Sequence, residues 1–417
     1  MPPPIPDLDG YRSDAERFLE APGPAADAAF AHLFSAGAVA GLEAYDGGDP
    51  RRMRALARFA AEGHLRLASA DEMAGIHELL RAPLVAGGPG GAVTLGEVDA
   101  LLAAEPDRER RRELQGARLR ALDQHLRGPM SDAALRRADA ARALGAPSAA
   151  GLIARAAGLD LAAVAADAAR ILDGTDDIAA RSLDRVARTA LGAPASALEA
   201  ADLPRLVRAP DLEADLPPEA VAAAVGRTRE VMGSRGGGAR GSSAAGVAGA
   251  LETLRDAGGA LARAGVSPRL PMESRALGDP SLVFAHAALM EGLLAEPEWL
   301  RRVLGAADPE PIAVGAAATR LLSLRATAAA ARGLGGGPDP DLMSRAVGVA
   351  WPAELSLAAG LGSLAPADEL RARMLAAALR QHLREEHGER WFLDPAAAGL
   401  LRELWLEGGD PSSRAMV

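Results

Sequence analysis

The chain has 417 residues, of which 49% are hydrophobic and 24% charged, with a formal net charge of −10 and no cysteine. The lack of cysteine excludes disulfides, thiolate metal sites and thiol nucleophiles. No Lys occurs, so all 46 basic side chains are Arg, which excludes a Schiff-base lysine and a lysine-dependent phosphate loop. The acidic balance argues against nucleic acid as a partner, because phosphate binding needs a basic surface.

Taken in chain order, the start MPPPIPDLDGYR has neither the basic segment nor the apolar run of a secretory signal. No uncharged apolar run reaches the length of a bilayer span, so a cytoplasmic protein with no membrane partner is expected. Gly-Pro clusters at Gly47–Pro50, Ala86–Gly91 and Gly335–Pro340 punctuate what otherwise reads as one helix after another. Aromatic residues make up only 3% of the chain, so the core must rest on Leu, Ala and Val. His77-Glu78 copies half of a zinc motif without its second histidine, and reads as a surface helix. The run Asp107–Glu113 (DRERRRE) reads as a solvated helix face. Gly236–Gly238, flanked by Arg235 and Arg240, lacks the strand and spacing of a phosphate loop and reads as a plain loop. Beyond it, Leu251, Leu254, Gly258 and Leu261 fall on one helical stripe. Asp279-Pro280 reads as a helix start, a cap followed by a first-turn proline, and Pro297 repeats the device. Leu370, Met374, Ala378 and His382 share one helical face near the end, and Leu375, Leu379 and Leu383 another. His382 and His387 are expected to pack or to face solvent. Alternating β-branched runs are few, so little sheet is expected.

The stretch LETLRDAGGALARAGVSPRLPMESRALGDPSLVFAHAALMEGLL, residues 251–294, resembles the active-site helix pair of the thimet oligopeptidase/oligoendopeptidase F family of zinc metallopeptidases. EPDRERRR at Glu105–Arg112, DLPRL at Asp202–Leu206 with RAPD at Arg208–Asp211, and the segments Asp368–Leu383 and Gly388–Phe392 extend that resemblance in order and spacing. It implies a mostly α-helical, two-lobed zincin-like fold with a central cleft and little sheet. The implied lobes are an N-terminal helical lobe, 1–230, and a C-terminal helical lobe, 231–417, that carries the site.

Within that resemblance the site is degenerate. The family places His-Glu-x-x-His on one helix and a third ligand, Glu, after an LGD-x-S segment. That segment is kept here as Leu277-Gly278-Asp279-Pro280-Ser281, but the two histidine positions are Arg255 and Gly259 and the glutamate position is Phe284. None of the three offers a lone pair to a metal, and a guanidinium stays protonated and repels a cation. Asp256 stands where the general base would, with no metal-bound water to activate. The tyrosine that polarises the substrate carbonyl in relatives corresponds to Glu369, and the chain's two tyrosines, Tyr11 and Tyr45, lie far away in sequence. The strand segment that pairs with extended peptide is shortened to the glycine-rich stretch 233–243. His286, two residues beyond Phe284, points away from it on a helix.

The resemblance therefore implies a non-catalytic pseudo-peptidase: no catalytic residues, no zinc, no other cofactor, and a peptide or protein partner. Arg255 either fills the vacated position and pairs with Glu291 or Glu273 across the cleft, or lies exposed in a remodelled cleft with no role. The alternative is a residual or repurposed hydrolase. It would use Asp256 and Glu369 as acid and base without metal, or be a metallopeptidase with unidentified ligands.

Overall fold

A computed structural model describes residues 7–88, 91–233 and 245–409. Its principal helices are α1 (Leu8–Glu20), α2 (Pro50–Ala68), α3 (Arg108–Ala121), α4 (Ala149–Ala157), α5 (Leu161–Leu191), α6 (Pro218–Val231), α7 (Gly246–Gly265), α8 (Pro280–Glu291), α9 (Pro309–Arg332), α10 (Ala365–His387) and α11 (Pro395–Leu406). Sheet among the described residues is limited to one antiparallel pair, β1 (Val85–Gly88) and β2 (Gly91–Val93), with Val85 opposite Val93. The mostly helical expectation holds. No single helix among the described residues is long and apolar enough to cross a bilayer.

The helix ends follow their capping chemistry. Asp49, Asp107, Asp160, Asp279 and Asp394 each accept a backbone N–H of the turn they precede, and Pro50, Pro280 and Pro395 occupy first-turn positions. A carboxylate there satisfies orphan amides and sits favourably on the positive end of the helix dipole.

The largest apolar cluster surrounds α7. Leu251, Leu254, Gly258 and Leu261 are all buried, so the stripe read from the sequence is the face α7 presents to this core. Trp299, Trp391 and Phe392 fill it from later segments, and the Trp299 indole donates to Thr228 Oγ1 on α6 at 3.0 Å. Gly258 brings α7 and α8 together: a Cβ there would lie 2.5 Å from the His286 carbonyl oxygen and 2.9 Å from Ala287 Cα. Gly246, at φ 68°, starts α7 where a Cβ would lie 2.0 Å from the Arg208 carbonyl oxygen; only glycine suits both the conformation and the space.

One surface expectation is corrected. Arg111, inside the run read as a solvated face, is 3% exposed and donates to Asp202 at 2.7 and 3.2 Å. A guanidinium can be buried once a carboxylate pairs with it, and this carboxylate comes from 91 residues away. The glycine run Gly236–Gly238, with Arg235 and Arg240 and nearly all of the shortened stretch, lies outside the described residues.

Candidate functional site: an arginine–carboxylate cluster at the remnant peptidase motif

Three helices bring the motif positions together. Arg255 is central in α7, Glu291 closes α8, and Glu369 lies in the first turns of α10. Arg255 Nη1 donates to Glu291 Oε2 at 2.8 Å, and its Nη2 makes a very short contact with Glu369 Oε2. Arg373, one turn after Glu369 on α10, donates to Glu369 Oε1 at 2.7 Å and to Glu291 Oε1 at 3.3 Å. Its Nη2 reaches Ser323 Oγ at 2.9 Å. Arg320, also on α9, approaches Glu291 Oε1 at 3.4 Å as an ion pair without good hydrogen-bond geometry. Two carboxylates are thus held by three guanidiniums.

Burial makes this cluster energetically consequential. The Glu291 side chain is 5% exposed and Arg373 10%, while Arg255 is 29% exposed at the edge. Burial by itself would raise the Glu291 pKa. The charges of Arg373, Arg320 and Arg255 outweigh it and hold the carboxyl below its ordinary range. Burial would likewise lower the Arg255 pKa, but the bond and charge of Glu369, then those of Glu291, leave it above the ordinary guanidinium value. For Arg320 burial dominates. It lowers the pKa, aided by the like charges of Arg373 and Arg380, and Glu291 offsets this only in part.

The remaining motif positions do not join the cluster. Asp256 is exposed and makes no hydrogen bond or ion pair among the described residues. Gly259 is buried, and a Cβ there would face the Arg263 guanidinium at 3.4 Å. Phe284 is half-buried on α8. His286 packs edge-on against Trp405 with ring centroids 5.8 Å apart, and its Nδ1 is sealed from solvent without a partner. Burial pushes its pKa down to about 4, so the ring is neutral near pH 7. Glu273, the other carboxylate considered for Arg255, binds Arg12 of α1 at 2.5 Å. Tyr11 is buried and donates to the Leu33 carbonyl at 3.0 Å, and Tyr45 is exposed. His77 and His382 face solvent, and His387 contacts Asp394 at 2.9 Å.

Sequence reasoning named Arg255, Glu291 and Glu369 but missed Arg320 and Arg373. The spacing of Glu369 and Arg373 at i, i+4 was an available signal for a helical ion pair. For Arg320 no local signal exists, because it arrives from α9. Among the described residues no group of three or more His, Asp or Glu side chains is placed to hold a metal ion. Of the two carboxylates in the alternative reading, Glu369 has both oxygens against guanidiniums and Asp256 is exposed.

Against this geometry the likeness to solved structures can be placed. PZ peptidase A with an inhibitor is 14% identical, covering 97% of this chain and 79% of that one at a TM-score of 0.53. A protein assigned as an oligoendopeptidase F from Bacillus anthracis str. Ames is 13% identical, covering 98% and 77% at a TM-score of 0.55. Another structure assigned as an oligoendopeptidase F is 15% identical, covering 96% and 77% at 0.54. The chain shares the helical peptidase fold of these proteins along nearly its whole length. No protein-family model and no curated protein is matched by the sequence.

Proposed function

We propose that this chain is a non-catalytic pseudo-peptidase: it keeps the oligopeptidase fold and binds a peptide or protein partner without hydrolysing it. The observation that carries this reading is Arg255, a permanent cation at the first ligand position, held by Glu291 and Glu369. The residues at the ligand positions do not fit zinc. Gly259 has no side chain, Phe284 has no donor atom, and a guanidinium repels a divalent ion. His286, two residues beyond Phe284 in sequence, is engaged against Trp405. In place of a metal that ties ligands from two helices, an ion cluster ties α7, α8 and α10, with α9 joining through Arg320 and Ser323.

The test is metal content and hydrolysis on the same purified sample. Mass spectrometry of the protein as isolated should give no stoichiometric zinc, and unstructured peptides should survive incubation with and without added zinc. About one zinc per chain together with peptide cleavage would overturn the proposal. Cleavage without metal, abolished by Glu369→Gln, would instead establish the metal-independent hydrolase.

A further inference from the structure

A second feature lies at the opposite end of α8 from Glu291, roughly 15 Å along the helix at 1.5 Å per residue. A half-open cavity of about 480 Å³ lies between α2, the end of α4, the Leu277–Ser281 segment and α10. That volume falls within the range of about 300–1,000 Å³ typical of small-molecule sites. None of Arg255, Asp256, Gly259, Phe284 and Glu369 lines it.

Its charges are unevenly satisfied. Five arginines line the cavity against three acids, Asp167, Glu273 and Asp279. Arg58 is committed to Asp368 at 2.6 Å and Glu62 at 2.8 Å, and Arg371 to Asp279 at 2.5 Å. Glu273 is taken by Arg12 at 2.5 Å, and Asp167 pairs with Arg170. Two cations at the α2 side remain undersatisfied. Arg54 makes no ion pair or hydrogen bond among the described residues, and its guanidinium lies over Gly158, where a Cβ would sit 2.9 Å from Nε. Arg52 reaches only Asp49, at 3.7 Å, and its Nε is sealed without a hydrogen-bond partner.

Two further observations define what would fit. Ser281 is fully buried at the lining, and its Oγ makes no hydrogen bond of good geometry among the described residues, although it lies near enough to Asp279 to help hold that charge. The lining also carries apolar side chains: Leu277, Leu282, Met374 and Leu375. Met374 is 41% exposed, a large apolar side chain left open to solvent at the lining.

We infer that this cavity binds a small amphipathic anion, with an oxyanion head on Arg52 and Arg54 and an apolar body against Leu282, Met374 and Leu375. A planar guanidinium recognises a carboxylate or a phosphate through parallel N–H donors. The apolar wall then selects for a tail that a bare inorganic anion lacks. This inference stands whether or not the remnant peptidase site hydrolyses anything.

The experiment is isothermal titration of the full chain at fixed ionic strength with octanoate, octyl phosphate, octanamide and inorganic phosphate, all below micelle-forming concentrations. Octanoate or octyl phosphate should bind saturably at one site, and whichever binds more tightly identifies the head group. Octanamide and inorganic phosphate should each bind at least about tenfold more weakly, one lacking the charge and the other the tail. Arg54→Gln, at an exposed residue outside the ion network, should fold normally and weaken binding by about tenfold. Met374→Asp should weaken it by at least as much by setting a negative charge beside the tail. Equal binding of octanamide and octanoate, unchanged binding in Arg54→Gln, or no binding of either amphiphile would overturn the inference.

Discussion

Glu291→Gln is the sharpest perturbation of the ion cluster. The glutamine keeps the shape of the side chain but removes the charge that Arg255, Arg320 and Arg373 share at 2.8, 3.4 and 3.3 Å. Breaking a buried ion pair by removing one partner costs about 3–5 kcal/mol, because the partner's charge is left uncompensated. Glu369 still serves Arg255 and Arg373, so the lower end applies, about 3 kcal/mol. Unfolding entropy of about 2.1 cal/mol/K per residue over 417 residues gives about 0.9 kcal/mol/K, and hence a fall in Tm of roughly 3 °C. Arg255→Met removes a guanidinium that is 29% exposed and leaves both carboxylates another arginine, so it should cost only about 1 kcal/mol. A pH series adds a second signature. The Glu291 pKa is lowered in the folded state, so its contribution is present above the unfolded value of about 4.3 and is lost as pH falls through the folded value. Calorimetry of wild type and Glu291→Gln from neutral to acid pH should therefore show the two Tm curves converging below about pH 4. A Glu291→Gln Tm within about 1 °C of wild type at neutral pH would refute the idea that the cluster ties the helices.

Three other outcomes follow from the same geometry. Gly258→Ala would force a methyl against the α8 backbone at 2.5–2.9 Å and should cost about 1–3 kcal/mol of overpacking, read as a lowered urea midpoint; an unchanged midpoint would mean that the helices are not in close contact. His286, with its pKa pushed down to about 4 by burial, is neutral in the folded chain and charged in the acid-unfolded one. Stability should therefore fall with pH from about 6.5 downward, and His286→Phe should flatten that fall; an identical slope in the variant would show that the ring is solvated. Arg325 is 1% exposed and donates to the Leu172, Arg345 and Ala346 carbonyls, Thr175 Oγ1 and Asp176. Arg325→Met should cost at least about 3 kcal/mol by stranding those acceptors, and amide exchange near the C-terminal end of α9 should accelerate; a Tm equal to that of wild type would rule this out.

Sequence reasoning reached the architecture because the relevant signals are local. Aspartate followed by proline fixes the start of α8 whatever packs on it, and the stripe from Leu251 to Leu261 is the buried face of α7. The partner of Arg255 was within reach because Glu291 lies two turns past Phe284 on the neighbouring helix. Glu369 was harder. It was read as the position of a lost tyrosine or as one half of an acid–base pair with Asp256, and its role as a charge partner depends on how α10 crosses α7, which no spacing reports. The same limit explains Arg111, whose carboxylate is 91 residues distant. It also explains Met374, which shares a helical face with Leu370 yet stands 41% exposed while Leu370 is buried. Periodicity identifies residues that share a face, but the neighbours available at each turn decide which part of that face is covered.

The close approach at Gly258 means that α7 meets α8 nearly backbone to backbone through a position that carries no side chain. Ion pairing and close packing in this helix pair are therefore written on different residues. Arg255, Gly259 and Phe284 can vary without disturbing the contact that fixes the interhelical distance. A helix pair arranged in this way can exchange the residues on one face while the contact on the other keeps its spacing.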